Sequence, residues 1–240
     1  MEVINDLLEL NNLKIVQNKK WFNFSLDSLL LSNFANVNNK MKIIDICTGN
    51  CPIPLMLSTK TKAKIIAVEI QKEIYELGLK SIKINNLDRQ IKIINKDIKE
   101  YYKEIKTDSF NLITCNPPYF KINNNSILNS NIQKTNARHE KYLNLDDLFK
   151  ISKKILKNNG KIVLIHKSDR LSDIMIKMRN NNIEPKRIRF VYPKEDSKSN
   201  LVLIEGMKNA SSGLIIEKPL IIHEKNGEYK KEILDMFKEV

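Results

Sequence analysis

Four consecutive residues, Asn116-Pro117-Pro118-Tyr119, have the types and the order needed to hold a planar amine. Successive prolines lack backbone donors and fix an extended backbone, so a strand that reaches them ends. The Pro117 carbonyl oxygen and the Asn116 side-chain oxygen can then accept hydrogen bonds from one NH₂ group. Because the lone pair of an aryl amine is delocalised into its ring, two acceptors raise the electron density on nitrogen, and Tyr119 can stack on the ring. The motif predicts group transfer to a planar amino nitrogen; the alternative is an ordinary Pro-Pro turn.

A small-residue turn earlier in the chain, Asp45-Ile46-Cys47-Thr48-Gly49-Asn50, is suited to a bound cofactor. Gly49 permits a positive φ and a close approach of the backbone, while Thr48 and Asn50 can form capping bonds. Asp45 can hold a cationic amino-acid group, directly or through water. The alternative is an ordinary strand-to-helix turn with a capping aspartate.

Two further acidic residues follow predicted strands. Glu69 can accept both ribose hydroxyls of an adenosine, a position that NAD-binding folds also use. Asp97 can accept the adenine amino group, with Ile98 packed on the ring, or can simply begin a helix at the surface. The turn contains one glycine and no G-x-G-x-x-G motif, which leaves no cradle for a pyrophosphate. These features favour S-adenosylmethionine (SAM) over NAD.

The elements that must position these residues alternate between strands and helices, which indicates a mostly parallel sheet with helices on both faces. Two consecutive late strands predict an antiparallel edge hairpin. The pattern predicts an α/β fold with seven strands, like the Rossmann-like class I SAM-dependent methyltransferases. The predicted strands are Lys42–Ile46, Lys64–Glu69, Ile91–Asn95, Phe110–Cys115, Lys161–His166, Arg187–Tyr192 and Leu201–Gly206, and the main helices are Pro52–Ser58, Lys72–Asn85, Leu145–Lys157 and Arg170–Asn180.

The remaining segments are predicted to be extensions of one domain. Residues 1–40 form a cap over the site, with a hairpin near residues 18–24 and a helix from Asp27. Residues 41–207 form the core, and residues 208–240 add a strand, an Asn226-Gly227 turn and an amphipathic helix. The Asn-rich stretch 121–136 is long for a loop, which indicates disorder or a substrate lid.

The composition of the chain limits the classes of protein to which it can belong. The chain has 240 residues, of which 42% are hydrophobic, and the sequence has no apolar run long enough to span a bilayer and no signal-peptide pattern, so a soluble cytoplasmic protein is expected. Three scattered cysteines fit a reducing compartment. Cys47 and Cys51 lack a second pair and a nearby histidine, so no metal is expected.

The net charge of +13 suggests a polyanionic partner, although AT-rich coding can produce surface lysine in any protein. Three segments combine basic residues with aromatic residues or arginines. Arg187 and Arg189 alternate along a strand, and the alternative there is a solvated pair. The residues predicted to contact RNA are Lys19, Lys20, Trp21, Arg138, His139, Lys141, Lys186, Arg187 and Arg189.

Longer strings resemble one known family. They are Phe24 to Leu31, Asp45 to Asn50, Thr114 to Phe120 and Ala137-Arg138-His139-Glu140. They resemble the bacterial tRNA adenine-N6 methyltransferases that modify the position-37 adenine, next to the anticodon, of a valine tRNA. The resemblance implies SAM as cofactor, tRNA as partner, no obligate protein partner, and a role for Ser25 and Asp27 at the methionine end of SAM.

The expected site follows from the motifs and the resemblance together. The predicted catalytic residues are Asn116, Pro117, Pro118 and Tyr119. The predicted cofactor contacts are Ser25, Asp27, Asp45, Ile46, Thr48, Gly49, Asn50, Glu69, Ile70, Asp97, Ile98 and Asn116. Cys51 departs from the glycine usual in this family, and we expect its Cβ to be tolerated at a negative φ. Two other functions stay open: a protein-glutamine methyltransferase, and a non-catalytic RNA-binding protein.

Overall fold

Strands and helices alternate along the part of the chain that this computed structural model describes, residues 1–7, 13–18, 25–117 and 143–238. The strands are β1 (Glu2–Asp6), β2 (Lys14–Asn18), β3 (Lys42–Ile46), β4 (Lys64–Glu69), β5 (Ile91–Asn95), β6 (Phe110–Cys115), β7 (Leu156–Lys167), β8 (Ile183–Tyr192), β9 (Leu201–Lys208), β10 (Ile215–Ile216) and β11 (Leu220–Ile221). The α-helices are α1 (Leu26–Phe34), α2 (Pro52–Lys60), α3 (Lys72–Ile84), α4 (Ile98–Glu104), α5 (Leu145–Ile155), α6 (Leu171–Asn180) and α7 (Lys231–Lys238).

The central sheet has the strand order β8-β9-β7-β6-β3-β4-β5. Neighbours from β7 to β5 pair in parallel, and β9 runs antiparallel between β7 and β8. This arrangement confirms the α/β prediction and the antiparallel pair near one edge. The short strands β10 and β11 add to the outer side of β8 in parallel.

Helices cover both faces of the sheet because its strands are apolar on both sides. Ile43 and Ile44, neighbours on β3, are fully buried in two different core clusters. One cluster packs α1, α2, α3 and α7 against the sheet, and the other packs α4, α5 and α6. Buried parallel strands of this kind are typical of α/β proteins. No helix in the described ranges is long and apolar enough to cross a membrane.

The parallel strands bring the predicted site together at their carboxyl ends. Ile46 at the end of β3 is the register partner of Val68 on β4 and of Cys115 on β6. Glu69 pairs with Asn95 at the end of β5. The turn after Asp45, the Glu69 carboxylate and Asn116 therefore lie at one edge of the sheet, which is where open α/β sheets bind ligands.

The structure has an amino-terminal hairpin that was not predicted, and the predicted one near residues 18–24 stays a prediction. Strands β1 and β2 pair antiparallel from Glu2 to Asn18, whereas residues 19–24 lie outside the described ranges. Side chains of α3 bond to the backbone of β2: the Val16 N–H donates to Ser81 Oγ over 2.9 Å and the Lys14 N–H to Asn85 Oδ1 over 2.9 Å. Polar side chains of a helix thus take the place of a neighbouring strand.

The end of α5 also differs from the prediction. The helix ends at Ile155, and β7 begins at Leu156, which pairs with Phe110 before the register shifts. Asn159 has a φ of 61°, but it lies inside the strand and does not terminate the helix. The fully buried Leu156 explains the difference, because extending the helix would remove this side chain from the core. The long loop 121–136 lies outside the described residues.

Candidate active site

Asp45 carries a buried carboxylate at the end of β3. Its Oδ1 accepts a hydrogen bond from Thr114 Oγ1 over 2.5 Å, and its Oδ2 is buried without a partner among the described residues. Burial raises the pKa of Asp45 to about 7, although the hydrogen bond from Thr114 lowers it, and the charge of Glu69 adds to the increase. A buried carboxylate oxygen needs a donor or a cation. This oxygen fits the ammonium group of an amino-acid ligand.

Glu69 connects the turn to the neighbouring strand. Its Oε2 accepts the Gly49 N–H over 2.9 Å, and its Oε1 accepts the Gln71 N–H over 2.9 Å. Burial raises the pKa of Glu69, while these backbone bonds act in the opposite direction. Asn95 supports the same segment, because its Nδ2 donates to the carbonyls of Glu69 and Ile70 over 2.9 and 3.1 Å. Asn95 was not among the predicted site residues, although a polar residue that ends the strand next to Glu69 is a signal for one.

The turn has a left-handed backbone at alternate residues. The φ angles are 59° at Cys47, 61° at Gly49 and 71° at Cys51. A Cβ at Gly49 would have no atom within 4 Å, so the space beside this residue is open to a ligand. The expectation of a negative φ at Cys51 is wrong. The Cys51 side chain is fully buried, and burial raises the pKa of its thiol.

Three predicted cofactor contacts are engaged within the protein. Asn50 donates from Nδ2 to the Val16 carbonyl over 2.9 Å, which joins the turn to the amino-terminal hairpin. Ile46 is fully buried and Ile98 is 5% exposed, both in the core cluster under α4, α5 and α6. Asn50 therefore has a structural bond and the two isoleucines belong to the core, and the predicted contacts of these residues with the cofactor stay predictions.

Asp97 caps α4, the alternative role weighed for it. Its Oδ1 accepts the Lys99 N–H over 2.8 Å, the standard bond of an N-cap aspartate. The side chain lies beyond β5 and is partly exposed, and Ile70 is also partly exposed. A cap bond uses one carboxylate oxygen and does not by itself exclude a ligand contact through the other.

Asn116 directly follows β6 and contacts α1. Its Nδ2 donates to Ser28 Oγ over 3.4 Å, and Ser28 is 4% exposed. With the amide nitrogen directed to Ser28, the Oδ1 atom is the part of the side chain that can accept a bond from a substrate amine. Pro117 is buried. Ser28 was within the string that carried the resemblance, but its contact with Asn116 could not be read from sequence distance.

Ser25 precedes α1 on the same side of the sheet. Its Oγ is buried and has no partner in the described ranges, and it makes no cap bond to the helix. Asp27 lies in the first turn of α1 and is partly buried. The remaining predicted contacts lie outside the described residues: Pro118, Tyr119, Lys19, Lys20, Trp21, Arg138, His139 and Lys141. No cluster of potential metal ligands occurs among residues 1–7, 13–18, 25–117 and 143–238.

Arg187 and Arg189 are committed to contacts within the protein. Arg187 bonds Glu217 over 3.0 Å, Glu205 over 3.3 Å and the Phe34 carbonyl, and its guanidinium lies 3.9 Å from the Phe34 ring centroid. Its side chain is only 18% exposed. These contacts correct the prediction that Arg187 binds RNA.

Arg189 has a similar structural role. It donates to Glu232 over 2.6 Å and to the Lys218 carbonyl over 3.0 Å, which joins β8 to α7, and its side chain is 15% exposed. Neither arginine is therefore a solvated side chain or an exposed RNA contact. Lys186 is partly exposed and donates to the carbonyls of Ser211 and Ser212.

Comparison with known proteins identifies the family. A family model described as RNA methyltransferase matches residues 16–177. The tRNA1(Val) (adenine(37)-N6)-methyltransferase of Parabacteroides distasonis is 27% identical over 179 residues, which cover 75% of this chain and 74% of the relative. The enzyme of the same name from Trichodesmium erythraeum is 27% identical over 217 residues, which cover 89% and 88%.

Solved structures share the fold. A "predicted O-methyltransferase" from Agrobacterium tumefaciens has a TM-score of 0.69 at 15% identity, with 88% of this chain and 95% of that chain covered. Geranyl diphosphate methyltransferase in complex with SAM has a TM-score of 0.57 at 12% identity, with 75% and 84% covered. At these identities the likeness concerns the fold alone, that of the class I SAM-dependent methyltransferases. Because the family model spans well over half of its length, the chain belongs to this family of RNA methyltransferases.

Proposed function

We propose that this chain transfers a methyl group from SAM to N6 of an adenine in tRNA, the position-37 adenine of a valine tRNA that its relatives are named for. The observation that carries the proposal is the position of Asn116. Its amide nitrogen bonds to Ser28 at the same sheet edge as the buried Asp45 carboxylate. A planar amine held at Asn116 would therefore lie beside the cofactor turn.

The residues of the turn fit SAM. The unpartnered Asp45 Oδ2 suits the cationic amino group, and the Ser25 hydroxyl suits a polar group at the same methionine end. The open space beside Gly49 leaves room for the cofactor, with Thr48 next to it. Glu69, Ile70 and Asp97 are proposed to face the adenosine. When bound, SAM supplies an electrophilic methyl group.

The amine is activated by acceptors alone in this proposal. Asn116 Oδ1 and the Pro117 carbonyl accept the two N–H bonds of adenine N6, which increases the electron density on the nitrogen. The nitrogen becomes acidic only as the new bond forms, so its proton can pass to water afterwards. Catalysis then depends on positioning and on the two acceptors, and it requires no metal ion. Pro118 and Tyr119 are proposed to complete the base pocket.

An anticodon-loop adenine suits this site because its base is unpaired or easily exposed. Lys19, Lys20, Trp21, Arg138, His139 and Lys141 are proposed to contact the RNA around this base. With tRNA as its substrate, the proposed activity is cytoplasmic, and it needs no protein partner.

The test is methyl transfer from labelled SAM to total tRNA, to DNA and to a release factor in separate reactions. We expect label in tRNA, at N6 of one adenine. Asn116→Ala should lower turnover by at least about 100-fold, by analogy with the loss of one charge-stabilising hydrogen bond at an active site, while SAM affinity is kept. Asn158→Ala is the matched control, because Asn158 is exposed on β7.

Each other result has a defined meaning. Label only in the release factor would favour a glutamine methyltransferase, and label in no substrate would favour a non-catalytic RNA-binding protein. Unchanged turnover in purified Asn116→Ala would remove Asn116 from the mechanism.

A further inference from the structure

Basic side chains line the amino edge of the sheet, opposite the edge that carries Asp45 and Asn116. They lie at the starts of strands and in the preceding loops, and all are exposed. We call this set the basic edge: Lys40, Lys42, Lys62, Lys64, Arg89 and Lys157.

Contacts show that the basic edge is one continuous surface. Lys42 and Lys64 are direct register partners on β3 and β4. Lys64 Nζ donates to the Arg89 carbonyl, which extends the surface toward β5. In the other direction, Asn111 Oδ1 accepts the Lys42 N–H over 2.9 Å and Lys157 Nζ over 3.4 Å.

Lys40 and Lys62 belong to the same surface. The Lys62 N–H donates over 2.8 Å to Asn39 Oδ1, and Asn39 directly precedes Lys40. The row therefore crosses four neighbouring strands, from β7 to β4, and reaches the loop before β5.

The positive charge of this edge is not neutralised within the described residues. None of the six side chains forms an ion pair there, whereas exposed Lys80, Lys96 and Lys103 pair with Glu2, Glu104 and Glu100. The carboxylate nearest in sequence, Asp88, also forms no ion pair among them. The contacts of these side chains leave the charges in place, because Lys64 Nζ donates to a carbonyl and Lys42 Nζ lies 5.0 Å from the centroid of the Phe110 ring.

Helix ends do not account for this charge. Cations in the last turn of a helix compensate its dipole, and Lys60 on α2 and Lys83 on α3 occupy such positions. The six residues of the basic edge lie outside the helices. Their shared location at the amino ends of the strands also goes beyond what a general lysine-rich composition explains.

We propose that the basic edge binds the phosphate backbone of the RNA substrate, away from the base that is methylated. This inference rests on the proposed function. Neighbouring strands are about 4.8 Å apart, so the row spans roughly 15 Å, and strands of five or six residues separate it from the site by roughly 16–20 Å. RNA that contacts both edges must extend past the modified loop, which points to the helical stem beside that loop.

The test is the salt dependence of tRNA binding by Lys42→Gln/Lys62→Gln/Arg89→Gln. At about 100 mM salt we expect affinity for unmodified tRNA to fall about tenfold or more, and the slope of log affinity against log salt to become shallower by about 2–3, because each lost phosphate contact removes about one. The affinity for SAM should not change. Thermal unfolding checks that the variant is folded.

The matched control is Lys150→Gln/Lys218→Gln/Lys231→Gln, which removes the same charge from exposed residues elsewhere. We expect less than a twofold loss in the control. Equal losses in both variants would show a general charge effect and would overturn the proposal, as would wild-type affinity in the basic-edge variant.

A short anticodon stem-loop with the target adenine separates this inference from the proposed function. If the wild type methylates tRNA and the basic-edge variant binds tRNA normally, the proposal that the basic edge binds RNA is wrong and the proposed function is kept. If that variant binds RNA more weakly but the wild type methylates no adenine, the proposed function is wrong and the RNA-binding role of the basic edge is kept. With both correct, the basic-edge variant should lose activity on the stem-loop, which contains the helical stem, but not on a single-stranded loop oligonucleotide that lacks the stem.

Discussion

The Sγ atom of Cys51 lies 3.1 Å from the position that a Cβ on Gly78 would occupy. Cys51 is fully buried with a φ of 71°, a backbone region that favours glycine. Helix α3 has no side chain at Gly78, so the turn and the helix can pack closely. The absence of glycine at position 51 is thus accommodated by a glycine in the neighbouring helix.

Gly78→Ala should destabilise the protein, because overpacking usually costs about 1–3 kcal/mol. Its Cβ would lie 2.6 Å from Ile93 Cδ1 as well as 3.1 Å from Cys51 Sγ. This loss should exceed the gain of about 1 kcal/mol that alanine brings to a helix. Urea unfolding measures the difference in the free energy of unfolding.

The exposed Glu76→Ala on the same helix is the control for Gly78→Ala. In a Cys51→Gly background the cost of Gly78→Ala should be smaller, because one of the two close contacts of the new methyl group is gone. Full additivity of the two substitutions would contradict direct packing between positions 51 and 78.

Ser28→Ala should reduce kcat about tenfold and leave SAM affinity unchanged. Without the Ser28 hydroxyl, the Asn116 amide loses one contact that orients it, so its Oδ1 is less often directed at the amine. Single-turnover methylation and SAM titration measure the two effects. Ser32→Ala is a suitable control, since Ser32 is buried on the same helix and bonds to the Leu29 carbonyl instead.

A double-mutant cycle distinguishes orientation from a general loss of structure. In an Asn116→Ala background, Ser28→Ala should have little further effect on kcat, because the group it orients is absent. Additive losses would show that Ser28 acts independently of Asn116.

SAM affinity should increase with pH up to about pH 7 and then level off. Burial raises the pKa of Asp45 to about 7, so at lower pH the free protein holds a neutral carboxyl that attracts the SAM ammonium only weakly. Isothermal titration between pH 5.5 and 8 measures this dependence. Asp45→Asn should bind weakly at every pH, and a dependence as steep as that of the wild type would assign the titration to another group.

The same group should affect stability in the opposite direction. The pKa of Asp45 in the folded state lies above its ordinary value of 3.8. At pH values between these two pKa values, the folded state therefore binds more protons than the unfolded state. Its contribution to the free energy of unfolding is therefore fully present below about pH 4 and is lost as pH rises toward 7. Asp45→Asn lacks this titration, so the difference in the free energy of unfolding between the wild type and the variant, measured by urea unfolding, should change with pH across that range.

Arg187→Lys should destabilise the protein by about 1–3 kcal/mol, since lysine cannot serve two carboxylates and a carbonyl while stacking on Phe34. Its tRNA affinity should match that of the wild type. Arg179→Lys is the control, because Arg179 pairs with Glu184 but is 61% exposed, and exposed pairs contribute about 0–1 kcal/mol. Weaker tRNA binding by a stably folded Arg187→Lys would restore Arg187 as an RNA contact.

The sequence patterns predicted the strands well where short apolar runs are bounded by polar residues. The strands Lys42–Ile46 and Phe110–Cys115 have the predicted bounds. The same reasoning predicted that Asp45 and Glu69 lie close together, because the carboxyl ends of neighbouring parallel strands lie at one edge of the sheet. Local periodicity and strand polarity are sufficient for such predictions.

Partners distant in sequence could not be predicted in the same way. Alternation along β8 placed Arg187 and Arg189 on one face, but their partners Glu205, Glu217 and Glu232 come from separate segments. The buried Cys51 side chain likewise packs beside Gly78 of α3, a contact between residues that are distant in the sequence. Strand periodicity describes which face a residue occupies, and only the assembled fold decides what lies on that face.

The bond from Asn50 to the Val16 carbonyl has a consequence for truncated forms of the protein. A fragment that began at Met41 would retain every strand from β3 to β11 but would leave Asn50 and Ser81 without their partners on β2. A typical intramolecular hydrogen bond contributes about 0.5–1.5 kcal/mol, and the loss of the Asn50 bond falls on the turn beside Gly49. Residues 13–18 therefore act as an external support for the cofactor turn, so deletions at the amino terminus should impair SAM binding before they unfold the sheet.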